Sequence, residues 1–332
     1  MLNFADKQMK KRVFSGARPT GRQHIGNYLG AVQNYVALQD EYDCVYCVVD
    51  IHALTTLENT ESLREDIYEM VLDWLAAGMD PQKAIIFVQS HVPQVEELHT
   101  LFSMVTPLSW LLRVPTFKEK VKMQPHNVNY GLVGYPVLMT ADIALYKGEV
   151  VPVGEDQLPH LEITREIARR FNTLYEEVFP IPEPLLTRFP RLPGLDGKRM
   201  SKSMGNVILL SDEPEEIAKK VMTAVTDPEK IKMGDPGHPD ICNVFAYHSR
   251  FNSDSVGKIE AGCKSGELGC VECKRKCAVA ISEYLASIRE RRKELQTDEK
   301  SILEMLSEGA ERARERAQET MNQVRQAMHF SR

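Results

Sequence analysis

The feature that most constrains the fold is an alternation of two apolar spacings within the first 90 residues. Short, nearly continuous apolar runs, RVFSG at 12–16, CVYCVVD at 44–50 and AIIFVQS at 84–90, are typical of buried strands. The segments between them, at 24–39 and 62–78, carry apolar residues at helical spacing. Strand, helix, strand, helix, strand predicts an α/β fold with a parallel sheet and right-handed crossovers.

The rest of the chain is predicted to be mainly helical, in two parts. The stretch at 96–183 is mostly helical, is broken by VVPVGEDQ at 150–157, and is interpreted as an insertion into the sheet domain. Prolines then crowd a connecting segment at 180–193. We therefore predict a catalytic sheet domain at 1–210 and an all-helical C-terminal domain at 211–332.

Length and charge narrow the possible functions. The 332 residues carry 41 Lys and Arg against 47 Asp and Glu, which is a net negative charge. Any binding of nucleic acid must therefore come from local basic patches, such as CKRKC at 273–277 and RERRK at 289–293. No apolar stretch approaches the roughly 20 residues that a membrane span requires. The basic N-terminal residues are not followed by an apolar run. We expect a soluble cytoplasmic protein with no membrane partner.

A first candidate site is SGARPTGRQHIGN at 15–27, between a predicted strand and a predicted helix. Free backbone N–H groups and the helix dipole make such a junction an anion site. His24 can donate to a phosphate oxygen, Gly26 leaves room for the nucleotide, and Asn27 can hydrogen-bond phosphate or ribose. The alternative is a simple helix start with a buried histidine.

A second segment, GKRMSKS at 197–203, places Lys198, Arg199 and Lys202 in a loop suited to closing over a triphosphate. Cations there would stabilise charge on pyrophosphate as the α-phosphorus is attacked. The alternative for this segment alone is a solvated basic loop. The two segments together predict an adenylation enzyme.

The cysteines are unevenly placed. Five of the seven lie between 242 and 277, whereas Cys44 and Cys47 are predicted to pack in a central strand. In a reducing cytosol a cysteine cluster more often binds metal than forms disulfides. Within this C-terminal cluster only one CxxC pair is present, at Cys270 and Cys273, which argues against a zinc ribbon with two knuckles. The alternative is a set of reduced cysteines in a helical core.

The amino-acid sequences of three segments are more specific than the two signature motifs. PTGRQHIGNYLGAV at 19–32, YPVLMTADIALYK at 135–147 and VPVGEDQ at 151–157 resemble the tryptophanyl-tRNA synthetases, which are class I aminoacyl-tRNA synthetases. The likeness extends over essentially the whole chain. It implies a Rossmann-type catalytic domain, a helical anticodon-binding domain and a homodimer, with the insertion at 96–183 as the interface. It also implies a reaction of L-tryptophan with ATP and Mg²⁺ to tryptophanyl-adenylate, followed by transfer to tRNA(Trp).

The resemblance implies which residues contact ATP. His24, Asn27, Lys120 and Lys202 are the implied catalytic residues, with Lys118 as a poorer match than Lys120 for a basic residue reaching the phosphates. Two departures are visible, because Arg18 stands where many relatives have glutamine and Arg199 replaces the first lysine of KMSKS. The implied ATP contacts are Arg18, Pro19, Thr20, Gly26, Asn27, Gly154, Glu155, Asp156, Leu192, Arg199, Met200, Ser201, Lys202 and Ser203.

Substrate choice is assigned to the segment at 135–157. Spacing places Tyr135, Met139 and Asp142 on one face of a predicted helix. The resemblance makes Asp142 the acceptor for the indole N–H, with Tyr135 and Gln157 holding the α-amino group. The alternative for Asp142 is an exposed acidic residue on an amphipathic helix. The remaining implied pocket residues are Phe14, Val49, His52, Ile143, Val151 and Val153.

The resemblance also bears on the cysteines, because a bacterial subset of this family carries a similar pattern and a 4Fe-4S cluster. It implies Cys242, Cys263, Cys270 and Cys273 as ligands, with Cys277 as a spare thiol.

Two rival functions stay open. One is the same chemistry on tyrosine. The other is a synthetase-derived RNA-binding or regulatory protein that no longer activates amino acids.

Overall fold

A five-stranded parallel sheet forms the centre of the protein. The computed structural model describes residues 10–114, 117–118, 121–122, 125–186 and 192–330. Its strand order is β3-β2-β1-β4-β5, and all neighbouring strands run parallel. The strands are β1 (Arg12–Ala17), β2 (Asp43–Val48), β3 (Ala84–Val88), β4 (Val150–Val153) and β5 (Glu183–Leu186). The predicted α/β class and the three predicted strands are confirmed.

The central strands are buried on both faces, which explains their continuous apolar runs. Alternate residues enter two different cores, since Val13 and Tyr46 pack on one face while Phe14 and Val45 pack on the other. Cys44 and Cys47 are both fully buried in β2 and contribute to opposite faces. The prediction that these two cysteines pack in a central strand is confirmed.

The structure differs from the prediction at 150–157, which was interpreted as a break in a helical insertion. Val150–Val153 is a strand of the same sheet and pairs directly with β1, with Val13 opposite Val150. It also pairs with β5 over its whole length. Four apolar residues followed at once by the polar GEDQ give too short a signal to distinguish a strand from a loop.

Helices cover both faces of the sheet. The predicted helices at 24–39 and 62–78 are confirmed, although the first contains a π-helical stretch at Tyr28–Val32. In this half of the chain the α-helices are α1 (Ile25–Asn27), α2 (Gln33–Leu38), α3 (Asp50–Ala53), α4 (Leu63–Ala76), α5 (Gln94–Val105), α6 (Leu108–Arg113), α7 (Tyr130–Leu145) and α8 (Leu158–Leu174).

The C-terminal region is helical, as predicted. Its core also takes in Ile25 and Leu29 from the start of the first helical segment, packed with Ile217, Tyr247 and Ile281. None of the helices in the described ranges is both long and apolar enough to cross a membrane. The helices are α9 (Pro214–Thr223), α10 (Asn243–Phe251), α11 (Val256–Ser265), α12 (Cys270–Leu295) and α13 (Glu299–Ala327).

The last helix, α13, returns to the sheet and covers its edge strand β3. Ala313 and Met321 join the core on one face, whereas Ile302 joins the core on the other. The crossing point is Gly309, where an added Cβ would lie 1.9 Å from the carbonyl oxygen of Ile86. The helical region therefore shares two cores with the sheet. The domain boundary at 210/211 stays a prediction.

Gly309→Ala should destabilise the protein despite the higher helix propensity of alanine. The new methyl group meets the Ile86 carbonyl, which belongs to a strand backbone and cannot rotate away. We expect a loss of about 1–3 kcal/mol in the free energy of unfolding, measured by urea denaturation. Gly257→Ala in α11, where an added Cβ has nothing within 4 Å, is the matched control and should be neutral or slightly stabilising. Equal stability of the two variants would contradict the close approach.

Candidate active site

A cavity of about 350 Å³ opens at the carboxyl ends of the strands. It lies between β1 and β4, where the chain order along the sheet reverses. Crossover connections leave β1 and β4 in opposite directions at such a point, so a crevice opens between their loops, and this is where open α/β sheets bind ligands. The fold alone therefore places a ligand site next to HIGN and GEDQ.

Most of the predicted substrate residues line this cavity. Their side chains come from β1, the end of β2, α7, β4 and the turn that follows β4. Tyr135 is not among the lining residues, because its hydroxyl is hydrogen-bonded to His160 Nε2 at 2.8 Å and its ring packs edge-on against His52. Arg18 and Gly154 of the predicted ATP set line it as well. The predicted substrate residues found in the lining are Phe14, Val49, His52, Met139, Asp142, Ile143, Val151, Val153 and Gln157.

Asp142 is the acidic group in the lining of the cavity. It is only 3% exposed, so the alternative of an exposed acidic residue on an amphipathic helix is wrong. Burial raises the pKa of its carboxyl to about 8, opposed by a hydrogen bond from Gln89 and reinforced by the charge of Asp50. Both carboxyl oxygens accept from Gln89 Nε2, at 2.7 and 2.9 Å. A buried acceptor is thus held ready for an N–H donor.

Gln89 is a site residue that the sequence analysis missed. It follows β3 directly and is 1% exposed. Its amide nitrogen donates to Asp142, and its amide oxygen accepts from the backbone N–H of His52 at 3.0 Å. One side chain therefore fixes both the acceptor and a wall of the cavity. The available signal was a polar residue at the carboxyl end of an apolar strand.

His24 caps the first helical turn. Its Nδ1 accepts from the backbone N–H groups of Gly26 and Asn27 at 3.1 and 3.3 Å, and Asn27 Oδ1 accepts from the His24 N–H. Burial, aided by the nearby positive charge of Lys202, lowers the pKa of His24 to about 4. The imidazole is neutral at pH 7, so the proton sits on Nε2, which is free of the cap and can donate. The backbone N–H groups expected to bind phosphate are instead satisfied by this ring.

The two signature segments contact each other. The Ile25 N–H donates to the Ile208 carbonyl and the Leu210 N–H donates to the Gln23 carbonyl, both at 2.9 Å. A Cβ on Gly26 would lie 2.6 Å from Met200 Sδ, so a larger residue would push the Met200 side chain away from the helix start. The structure thus brings HIGN and RMSKS to one place.

The RMSKS loop is organised by Asn206, a second residue that the sequence analysis missed. Its amide nitrogen donates to Asp196 Oδ1 at 2.7 Å and to the Arg199 carbonyl at 3.0 Å. Its amide oxygen accepts from the Ser201 N–H at 2.8 Å. Ser201 and Ser203 share a hydroxyl contact at 2.9 Å. The loop backbone is therefore fixed from beneath, while Arg199 and Lys202 are exposed.

The other predicted ATP residues surround these two segments. Arg18 donates to the Ala53 carbonyl at 3.2 Å and to Thr56 Oγ1 at 2.6 Å. Lys118 is exposed, and Lys120 lies outside the described residues. The remaining ones lie in the turn before α1, in the turn after β4 and beside the helical core: Pro19, Thr20, Glu155, Asp156 and Leu192.

The four predicted cluster ligands interact electrostatically. Burial raises the pKa of Cys273 to about 12, with added repulsion from the charges of Cys242, Cys263 and Cys270. In the part of the chain that the structure describes, no three Cys, His, Asp or Glu side chains are arranged to hold a single metal ion. Cys277 is 1% exposed and packs in the helical core.

Comparisons with known proteins agree with this geometry. The family model of class I tRNA synthetases (W and Y) matches residues 6–286. A tryptophan–tRNA ligase from Thermotoga maritima is 46% identical, covering 96% of this chain and 99% of that protein, and one from Aquifex aeolicus is 44% identical, covering 96% and 100%. The crystal structure of tryptophanyl-tRNA synthetase from Campylobacter jejuni complexed with ADP and tryptophan is 32% identical, with a TM-score of 0.87, covering 96% of this chain and 99% of that one. The chain belongs to the class I tRNA synthetase family for tryptophan and tyrosine.

Asn206→Ala should loosen the RMSKS loop without unfolding the protein. Three hydrogen bonds to the loop are lost, so we expect trypsin to cut after Lys198, Arg199 or Lys202 at least about tenfold faster. Asn172→Ala is the matched control, because Asn172 holds a different loop through Val178 and Phe179. The rate is followed by mass spectrometry of the fragments. Unchanged cleavage at 198–202 would contradict the role given to Asn206.

Proposed function

We infer that the chain is a tryptophan–tRNA ligase. It activates L-tryptophan with ATP to tryptophanyl-adenylate and pyrophosphate, and then transfers the aminoacyl group to tRNA(Trp). The observation that carries this inference is the position of Asp142, a buried acceptor in the cavity at the β1/β4 crevice. Relatives named tryptophan–tRNA ligases cover nearly the whole chain at 44 and 46% identity, which supports the same activity.

The cavity walls suit an indole ring. Phe14, Val49, Val151 and Ile143 offer apolar surface, and Asp142 accepts the one N–H of the ring. Phenylalanine would give the buried carboxyl no donor from the ligand and leave Gln89 as its partner, and sites built around such a ligand bond discriminate by roughly four to five orders of magnitude. Tyrosine carries its donor at the end of the ring, where the geometry differs. The tyrosine-specific alternative is therefore disfavoured.

Adenylation needs positioning more than covalent help. A tryptophan carboxylate oxygen attacks the α-phosphorus, the bond to the β-phosphate oxygen breaks, and pyrophosphate leaves with the electron pair. His24 Nε2–H can donate to a phosphate oxygen, while Lys202 and Arg199 supply mobile positive charge for the leaving group. ATP binds as its Mg²⁺ complex, in which the ion neutralises phosphate charge. No general base is required, because the nucleophile is already ionised.

Pyrophosphate exchange over a panel of amino acids tests the function. We expect exchange with tryptophan alone for the unaltered protein, and a loss of at least about a hundredfold in kcat/KM for tryptophan in D142N, which offers a weaker, uncharged acceptor. Exchange with tyrosine would support the tyrosine-specific enzyme. An absence of exchange with every amino acid would support the RNA-binding or regulatory protein instead.

The pH dependence of tryptophan binding gives an independent check on Asp142. Its raised pKa of about 8 means that the neutral carboxyl prevails in the free protein below pH 8. The indole N–H favours the ionised form, so binding lowers this pKa, and affinity should rise with pH between 6 and 8 by up to about tenfold per unit. Calorimetry on D142N should give a flat profile. The same slope in D142N would assign the effect to another group.

We further propose that Cys242, Cys263, Cys270 and Cys273 hold a 4Fe-4S cluster. Support comes from the donor set, because four free cysteines supply the thiolates that such a cluster requires. Lys230 lies buried beside them and donates to the Cys263 carbonyl at 3.0 Å. Its positive charge would balance an anionic centre. A bound cluster would supply fixed cross-links between the 242 segment, α11 and α12.

Optical spectra of anaerobically purified variants test the cluster. C270S should lose the brown absorbance expected of thiolate-bound iron. C277S is the matched control and should keep it, because Cys277 is buried in the helical core. Anaerobic protein that carries stoichiometric zinc and no iron would sink the proposal.

A homodimer through the 96–183 region is also proposed. Several large apolar side chains there are exposed, with Met104 at 74%, Tyr130 at 66% and Leu108 at 60%. Apolar surface concentrated on α5, α6 and α7 is typical of a protein interface. Binding of tRNA(Trp) by the region from 211 and a cytoplasmic location remain predictions. The expectation that RERRK at 289–293 is a basic surface patch is corrected, because Arg289 and Arg292 are buried.

A further inference from the structure

We propose that Arg292 is a positioning residue for adenylation, which holds the loop before His24 from the helical region and balances the carboxylates beside Lys202. The inference rests on the proposed function, because it concerns the same ATP site. Arg292 lies on α12 and is 5% exposed. It belongs to RERRK at 289–293, which the sequence analysis took for a basic surface patch, but its burial among carboxylates corrects that expectation for Arg292.

Arg292 joins two carboxylates of α4. Its Nε donates to Asp73 Oδ1 at 2.6 Å, and its Nη2 donates to Glu69 Oε2. Asp73 is fully buried and Glu69 is 8% exposed. Burying such a group of charges gives little net stability compared with apolar side chains of similar size. A role in fixing the relative position of the elements explains it better.

The same two carboxylates hold the loop that leads into HIGN. Asp73 Oδ2 accepts from the Gln23 backbone N–H at 2.5 Å, and Glu69 Oε2 accepts from Arg22 Nε at 2.8 Å. Gln23 directly precedes His24 in the chain. The position of the His24 cap is therefore set through α4 by Arg292.

Lys202 of RMSKS lies beside this group. Its Nζ donates to the Arg22 carbonyl at 3.0 Å. Burial lowers the pKa of its ammonium, and the nearby charges of Asp66 and Asp73 oppose this shift. Three carboxylates, Asp66, Glu69 and Asp73, thus face three cations, Arg22, Arg292 and Lys202. Removing Arg292 leaves an excess negative charge that holds Lys202 more firmly, so less of it reaches the triphosphate.

Steady-state pyrophosphate exchange tests the role of Arg292. R292M should lower kcat at least about tenfold and raise KM for ATP several-fold, while KM for tryptophan stays within about twofold, because the cavity lining contains none of these residues. R316M is the matched control. Arg316 also ties a C-terminal helix to the sheet, through Asp43 at 3.0 and 3.1 Å, but at the amino end of β2, and its loss should leave all three constants unchanged.

The double variant D73N/R292M distinguishes charge balance from simple loss of structure. It removes one carboxylate with the guanidinium, and the asparagine amide oxygen can still accept from Gln23. We expect the kcat of the double variant to lie within about threefold of that of the unaltered protein. This recovery relative to R292M would be a strong coupling in the double-mutant cycle. The kcat of R292K should fall between those of the unaltered protein and R292M, and this variant covers the case in which R292M does not fold.

The proposal is overturned if folded R292M keeps normal kcat and KM for ATP, if the double variant is as slow as R292M, or if R292K is no better than R292M. Failure of the unaltered protein to exchange with tryptophan would overturn the function instead.

Discussion

The pairing of β1 with both β2 and β4 is the constraint on which the rest of the structure depends. The chain leaves β1 toward β2 and later returns to the other side of β1 as β4, so their carboxyl ends open into one crevice. The loop that carries HIGN follows β1, and GEDQ follows β4. The topology of the sheet places HIGN and GEDQ at the same crevice, and this placement needs no direct contact between the two segments.

A second constraint joins the HIGN and RMSKS segments to the helical region. Ile25 and Leu29 belong to the same core as α9, α10 and α12, and the backbone of 208–210 is hydrogen-bonded to 23–25. The helical segment that begins at Ile25, in the HIGN segment, is therefore packed on the region proposed to bind tRNA. Any shift of α12 against the sheet must be absorbed by Arg292 and its carboxylates or passed to the loop before His24. Two discrete arrangements of these packed elements would couple the sites.

The sequence predicted what depends on local pattern. Nearly continuous apolar runs revealed β1 to β3, whereas the role expected of Asp142 came from the family resemblance of YPVLMTADIALYK and not from helical spacing. It did not reveal β4 as part of the sheet, because four residues carry too little periodicity. Gln89 and Asn206 were missed for a different reason. Each acts through hydrogen bonds to groups that are distant in sequence or in a loop, and a lone amide residue gives no sign of such partners.

The return of α13 to the sheet was equally hidden, since a helix pattern predicts an apolar face but not what covers it. Gly309 in that helix is a weak helix former. The reason for a glycine at this position is visible only in the structure, where a Cβ would meet the Ile86 carbonyl. The same holds for Tyr135, which shares a helix face with Asp142 and yet directs its hydroxyl to His160. Helical spacing fixes the face of a residue, whereas the partner is chosen by the neighbouring element.

The two ends of the site have opposite physical character, and the chemistry explains why. The Asp142 end is buried and held by Gln89, which suits discrimination by one hydrogen bond because a buried acceptor that loses a partner is costly. The Lys202 end is exposed, and its ammonium donates to the Arg22 carbonyl, with the carboxylates of Asp66 and Asp73 nearby. If those carboxylates held Lys202 too strongly, the cation would be lost to the reaction. If they were absent, the loop would carry no preferred resting position. A buried guanidinium that offsets part of their charge meets both requirements, which accounts for an arginine where apolar packing would have sufficed for stability.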